Sequence, residues 1–543
     1  MHIIGAFFDF IYCIFPFRAA WHTREPRGSR INVMEINRRR LLGMSGLVVA
    51  ASVVPMSAGC ALIRDDDGLS ALASDFDGTI LLPNDPGFSL AAWPNNSNYA
   101  GVIPKAVAIC VSTADISRCI SWVRDTGNEF AIRSGGHNYA GFSTTTGLLV
   151  DVRYMNAVTF DPGTGIVQIS AGANNQEVAD CLRPHGVSYP AGRCPTVGIS
   201  GLILGGGWGF SATRHGATCD SLVATDVVLA DASVVTATLK SNADLFWGVR
   251  GAAGGNLGVN TGFSLKTYAA PNVTVFDLSW PSVKQVELMD ALQSMQIDHP
   301  TDLSTRSKIV MTVATSNPTL EQLCVTTTGL YWGSKADFME ILQPVLAVAK
   351  PAPDGDQTGI PRTERSGPVR VQGSILELGY WEGRDYLATN DPQGLYVTKN
   401  SFLGERMSIE GLSEMVSWMR RWPGGSLAQL NLGLMFAFGG AVRDLPTDAM
   451  AYVHRDSNFL FQIEPEWTPR DSPETVAAMT SWMADYWAAM QGYMLPQSYQ
   501  NFPDRSLDDF ASAYYGTNLP RLQEVKRAYD PDNVFSFAQS IPI

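Results

Sequence analysis

The chain has 543 residues, 45% of them hydrophobic and 17% charged, a globular composition long enough for more than one core. Its formal net charge is −13, and its arginine-rich stretches lie at the extreme N-terminus. That balance speaks against a nucleic-acid binder, which needs a clustered basic face. The 8 cysteines include no C-x-x-C pair and no dense disulfide spacing, which disfavours a zinc ribbon or a thioredoxin-type site.

In chain order, residues 37–42 read Asn37-Arg38-Arg39-Arg40-Leu41-Leu42, and an apolar stretch runs from Leu41 to Ile63. Small residues (Ser57, Ala58, Gly59) precede Cys60 and an acidic run, Asp65 to Asp67. Basic, apolar, then small is the layout of an export signal. The paired arginines resemble a twin-arginine signal, so the export machinery is an expected partner and the destination periplasmic, cell-surface or secreted. A membrane-anchoring helix is the competing reading, because the run is about long enough to span a bilayer, although Gly, Ser and Ala make it weakly apolar. Met34 offers a compact start, leaving 1–33 as a doubtful extension and 34–63 as the signal. Cys60 leaves lipidation open, but Ser57 stands where a lipobox has Leu.

After the signal, Asp115 to Thr126 has helical apolar spacing, and Phe130 to Arg133 and Leu148 to Val152 read as short strands. Val158 to Ala171 reads as a hairpin turned at Pro162-Gly163-Thr164-Gly165, and Leu222–Leu229 with Val234–Thr238 as another. From about Pro271 the strand-like segments are Val273–Trp280, Ile309–Ala314, Cys324–Trp332, Leu432–Phe438 and Phe459–Trp467. They alternate with amphipathic helices at Val283–Met295, Ala336–Val348 and Glu474–Met490. The mixture predicts an α+β fold whose second sheet is covered by helices. Pro351 to Arg370, rich in Pro, Gly and charge, reads as a long loop.

Two segments concentrate the chemistry. One is Arg133-Ser134-Gly135-Gly136-His137-Asn138-Tyr139. The other is Gly192-Arg193-Cys194-Pro195-Thr196-Val197-Gly198-Ile199-Ser200-Gly201, followed by Gly205-Gly206-Gly207-Trp208-Gly209. Glycine lets backbone N–H groups approach a ligand, and successive N–H groups form an anion nest. The runs lack the strand–GxGxxG–helix context of a Rossmann site, and no GxxxxGK[ST] occurs. A glycine run alone also fits a tight turn or close packing.

Together with Arg214-His215-Gly216, Gly254-Gly255-Asn256-Leu257-Gly258-Val259, Tyr514-Tyr515-Gly516, Tyr529-Asp530-Pro531-Asp532-Asn533-Val534-Phe535 and Gln539-Ser540-Ile541-Pro542, these segments closely resemble one family. It is the bicovalent-flavin subgroup of the berberine-bridge-enzyme-like FAD-linked oxidases, which share the vanillyl-alcohol-oxidase-type (PCMH-type) FAD-binding fold. The resemblance implies a two-domain α+β flavoprotein. A discontinuous FAD-binding domain would comprise 75–268 and 495–543, and an antiparallel-sheet substrate domain 269–494. It implies FAD bonded covalently through His137 to the 8α-methyl and Cys194 to ring carbon C6. Arg133, Ser134, Gly135, Gly136, Asn138, Gly141, Thr196, Gly198, Gly201, Gly205, Gly206, Gly209, Gly258, Val259 and Asn533 would cradle the cofactor. Val197 would stand beside the oxygen-reactive face. His185 and His215 have no such support and read as structural.

The resemblance leaves the base open. Two positions that handle protons in the family read here as Phe436 and Phe502. Strand alternation instead places Gln462, Glu464 and Glu466 on one face, with Gln462 matching the family's substrate-facing Gln. A desolvated Glu464 would make a base, while a solvated strand end is the plain alternative. Tyr499 is a second candidate. The expected reaction takes hydride from a small organic molecule to flavin and on to O2, giving H2O2. A dehydrogenase with another acceptor is the alternative. Sugar oligomers and a secondary metabolite both suit an exported enzyme, and the two phenylalanines tilt slightly toward the latter.

Overall fold

The computed structural model describes residues 68–352, 375–389 and 393–543. The export-signal segment 34–63 with Arg38, Arg39 and Cys60, and most of the Pro351–Arg370 loop, lie outside the described residues. Everything described belongs to one unit, Asp65–Ile543.

The first sheet has four strands in the order Thr79–Leu81, Ala106–Ile109, Leu148–Asp151, Phe130–Arg133, and the last three run parallel. Helix Thr113–Thr126 packs Ile116, Cys119, Ile120 and Val123 inward. A capping box between Ser112 and Asp115 starts it, and Gly127 at φ 66° stops it, the left-handed turn that favours glycine. A five-stranded antiparallel sheet follows, in the order Val158–Asp161, Ile166–Ser170, Val259–Lys266, Leu222–Val228, Val234–Thr238, and both expected hairpins are present in it.

The third sheet has seven strands, ordered Ile375–Gly379, Asn272–Trp280, Leu323–Tyr331, Leu303–Met311, Leu434–Ala437, Phe459–Ile463, Lys399–Leu403, with every neighbouring pair antiparallel. One face contributes Leu278, Ile309, Val325, Met435 and Phe461 to a core with residues of helices Gln285–Asp298, Ile409–Met419 and Pro473–Met490. On the opposite face Lys308, Leu434, Gln462 and Asn400 form one row, and Arg306, Phe436, Leu460 and Phe402 the next.

Three expected elements change in detail. The strand expected at Ile309–Ala314 runs Leu303–Met311, and all nine residues are buried. With both faces covered, Ser304, Thr305, Arg306, Ser307 and Lys308 are interior, so the apolar pattern hid their strand. The strand expected over Phe459–Trp467 breaks after Ile463, and Glu466–Trp467 pairs with Leu395–Tyr396 instead. Pro465 has no N–H to continue the ladder. The helix expected at Ala336–Val348 is two, Lys335–Ile341 and Gln343–Val348, with Pro344 in the first turn of the second.

The C-terminal segment returns to the first half of the chain. The ammonium of Lys526, fully buried, donates to Asp530 (2.5 Å) and to the carbonyls of Phe535 (2.7 Å) and Asn256 (2.9 Å). Asp530 also accepts from the N–H groups of Val534 and Phe535. This clasp accounts for the Tyr529–Phe535 motif.

Candidate functional site

Strand Phe130–Arg133 delivers the chain to Ser134–His137, and the turn at 194–198 meets it back to back. An added Cβ on Gly135 would lie 2.2 Å from the backbone nitrogen of Gly198, and one on Gly198 at the same distance from that of Gly135. Side chains are therefore excluded at both positions, and the two loops are locked together. The second loop is pinned from behind. Val197 and Pro195 carbonyls accept from Asn175 and Gln176, and Ile199 N–H donates to Ala173. The Asn175 amide donates to the Cys194 carbonyl (3.0 Å) and accepts from the Tyr189 hydroxyl (2.8 Å).

The result is that His137 and Cys194 line one cavity. Cys194 is buried, with its sulfur 3.6 Å from the Thr389 hydroxyl. His137 Nε2 lies 3.1 Å from the Thr196 hydroxyl, which orients the imidazole. Ser134, Gly135, Gly136, Asn138, Val197, Gly198, Gly201, Gly258 and Val259 line the same cavity. At Gly201 nothing lies within 4 Å of a would-be Cβ, and Gly258 at φ +139° has a conformation other residues rarely adopt.

Other expected cofactor residues act from behind the wall. Arg133 donates to the carbonyls of Ala91 (2.7 Å), Ser143 (2.9 Å) and Trp93 (3.2 Å), anchoring the base of the His137 loop. Burial brings its guanidinium down to about 10. Gly141 passes beneath the Tyr99 ring, Gly205 against the Asn501 amide, Gly206 against Tyr452 and Gly209 against the Ala191 carbonyl. Close packing calls for glycine at these four positions, as does the positive φ of Gly141 (76°) and Gly206 (110°). Asn533 takes the left-handed conformation (φ 52°), and its buried Oδ1 has no partner among the described residues.

Residues not assigned from sequence complete the wall: Gly254, Gly255, Tyr514, Tyr515, Phe535 and Gln539. The Tyr514 hydroxyl donates to Gln539 (3.0 Å) and that of Tyr515 to the Ala252 carbonyl (2.9 Å). Their motifs were visible; their role as wall appears only when the C-terminal segment folds back.

On the side facing the seven-stranded sheet the wall is aromatic. Phe502 stacks on Tyr139 (centroids 5.1 Å apart, 7° between planes) and meets Phe436 at 5.7 Å; Phe436 meets Trp208 at 4.8 Å. Tyr499 lines the cavity but is 1% exposed, and its hydroxyl accepts from Gly207 N–H (2.9 Å) and the Asn501 amide (3.1 Å). Burial pushes this phenol well above its usual range, which suits it to positioning the turn rather than to taking a proton.

Gln462, Glu464 and Glu466 do come together, although the strand breaks between them. The Gln462 amide donates to the Thr398 hydroxyl (3.0 Å) and Glu464 Oε2 (2.8 Å). Both carboxylates accept from the Asn431 amide, at 3.1 and 3.0 Å. Gln462 is buried and the glutamates half-buried.

The family model described as FAD binding domain matches residues 104–238, and the one described as berberine and berberine like matches 498–542. The chain is 28% identical over 470 residues to the FAD-linked oxidoreductase YgaK of Bacillus subtilis, covering 86% of this chain and 97% of that protein. It is 29% identical over 465 residues to the glucooligosaccharide oxidase of Sarocladium strictum, covering 81% and 87%. A solved glucooligosaccharide oxidase from Acremonium strictum, described with a 6-S-cysteinyl, 8α-N1-histidyl FAD, superposes with a TM-score of 0.73 at 25% identity, covering 87% of this chain and 98% of that one.

Proposed function

We propose that this FAD-dependent oxidoreductase is a berberine-bridge-enzyme-like oxidase whose FAD is attached through both His137 and Cys194. The observation that carries the reading is the locked crossing at Gly135 and Gly198, which delivers an imidazole and a thiol to one cavity. The donor set suits the cofactor: both groups are nucleophiles able to add to an electrophilic ring. Gly198, Gly201, Gly254, Gly255 and Gly258 line the cavity, and at Gly201 nothing would stand within 4 Å of a Cβ, which leaves backbone there open to a ligand. We take the cofactor half to be 75–268 with 495–543, and 269–494 to be the substrate half.

FAD held by His137 and Cys194 would supply a hydride acceptor that O2 can reoxidise with release of H2O2. Oxidising an alcohol carbon also frees a hydroxyl proton, and this chain must supply its acceptor. Phe436 and Phe502 have no proton-accepting atom. Just past the end of the strand Phe459–Ile463 stands a carboxylate, Glu464, held by Gln462. Glu464 takes the proton, Gln462 orients the hydroxyl, and Tyr499 holds the 499–502 turn. The aromatic wall of Tyr139, Phe502, Phe436 and Trp208 excludes water and packs against an apolar face of the substrate.

Intact-mass measurement under denaturing conditions tests the attachment. The wild-type protein and the single variants His137→Ala and Cys194→Ala are expected to retain FAD mass, and the double variant to release it. Retention by the double variant would refute the assignment. Oxygen uptake with stoichiometric H2O2 tests the oxidase reading; turnover only with an artificial electron acceptor would make the protein a dehydrogenase.

A further inference from the structure

Phe502, where the family resemblance leads one to look for a phenol, belongs to a ring of hydrogen-bonded, cross-strand and aromatic contacts. Its carbonyl accepts from the Asn400 amide (2.6 Å). Asn400 is the cross-strand partner of Gln462, and Gln462 donates to Glu464. Glu464 accepts from Asn431, whose Oδ1 accepts from Arg306 (3.3 Å). The Arg306 guanidinium lies over the Phe436 ring at 5.6 Å, and Phe436 meets Phe502.

Asn431 is the junction of this ring. It is 6% exposed, and its backbone carbonyl also accepts from the Glu464 N–H (2.8 Å). An amide nitrogen carries two hydrogens. Here one goes to Glu464 and the other to Glu466, so one side chain holds two like charges in fixed positions. The orientation has no workable alternative. Turning the amide over would aim its oxygen at two carboxylates and its NH2 at a guanidinium, which are repulsive contacts at both ends.

We infer that Asn431 is a positioning residue for the proton-accepting step: its amide holds the Glu464 carboxyl in place, and Arg306 fixes Asn431. This rests on the reading of Glu464 as the proton acceptor. The substrate's O–H bond breaks with its proton going to a Glu464 oxygen, while the C–H bond gives up its hydride pair to the oxidising cofactor. A charged carboxylate that loses a donor is easier to protonate.

The test is an infrared titration of the carboxyl bands of the flavin-loaded protein, with Glu464→Gln identifying the Glu464 band. In Asn431→Leu that band is expected to titrate about one pH unit higher than in wild type, and in Arg306→Lys to shift the same way by less. An unchanged midpoint in both variants overturns the inference. If Asn431→Leu does not load flavin, Asn431→Ala, which likewise removes both donors, is read against wild type in the same way. Anaerobic flavin reduction by Glu464→Gln separates the two claims. A wild-type rate there removes Glu464 as the acceptor, whereas slow reduction with an unshifted Glu464 midpoint in Asn431→Leu removes only the role of Asn431.

Discussion

Two walls of the same cavity are built on different principles. The His137–Cys194 wall is made of backbone: two loops crossing at Gly135 and Gly198, with the reactive side chains carried on top. The other wall is made of side chains that reach one another across strands, with Phe502 and Trp208 lining the cavity, Phe436 packed against both and the Asn431 network behind. A backbone-built wall has no room to adjust. A side-chain wall can exchange rings and hydrogen bonds while the sheet stays in place, so the cofactor side should be brittle and the substrate side tunable.

The largest expected effect is on the brittle side. Gly198→Ala or Gly135→Ala puts a methyl 2.2 Å from the facing backbone nitrogen, which has no flexible side chain to move away. Neither glycine has a positive φ, so the clash acts alone. We expect a loss above about 4 kcal/mol, or a failure to load flavin, read from the thermal midpoint and the flavin-to-protein ratio. Normal loading in both variants would remove the contrast between the walls.

A smaller effect comes from His454, which supports the side-chain wall. It is fully buried and stacked on Phe402, with its ring nitrogens 3.0 and 3.1 Å from Gln497 and Gln500, and Gln500 lines the cavity. Burial lowers it to about 4. The unfolded chain takes up this proton below about pH 6.5 and the native state only near pH 4, so stability is full above pH 6.5 and falls as the pH drops through that window. The contribution is on the order of 3 kcal/mol. Denaturant unfolding of wild type and His454→Gln from pH 7 to pH 4 should show a gap that narrows as the pH falls. A constant gap would show that His454 is not held neutral.

The smallest expected effect is at Val197, which lines the cavity on the backbone-built side. Val197→Ile adds one methylene without touching either crossing glycine. Stopped-flow should show reoxidation by O2 slowed roughly tenfold, about 1.4 kcal/mol, with anaerobic reduction nearly unchanged. Equal reoxidation rates would leave Val197 with a packing role alone.

The backbone-built wall was legible in the sequence because its requirements are local. Glycines at 135, 136, 198 and 201 beside His137 and Cys194 stand in two short segments, and a glycine that must accept another backbone leaves its mark at its own position. The same locality leaves Gly205, Gly206 and Gly209 ambiguous in sequence, since glycine needed for packing looks identical to glycine needed for a ligand. The other wall was only partly legible. Phe436 and Phe502 could be noted as apolar, and alternation grouped Gln462 with Glu464, but the alternation argument passed over Pro465, where the strand ends. Nothing in the sequence pointed to Arg306, Asn431 or His454. Arg306 lies in a strand whose polar residues are all interior, and Asn431 reaches residues more than 30 positions away. By itself, then, the sequence determined the cofactor loops, the helix caps and hairpins and the family resemblance. The register and non-sequential order of the seven-stranded sheet decided the rest, because they bring residues 306, 431, 436, 462 and 502 into one cluster. No local pattern encodes which strands become neighbours.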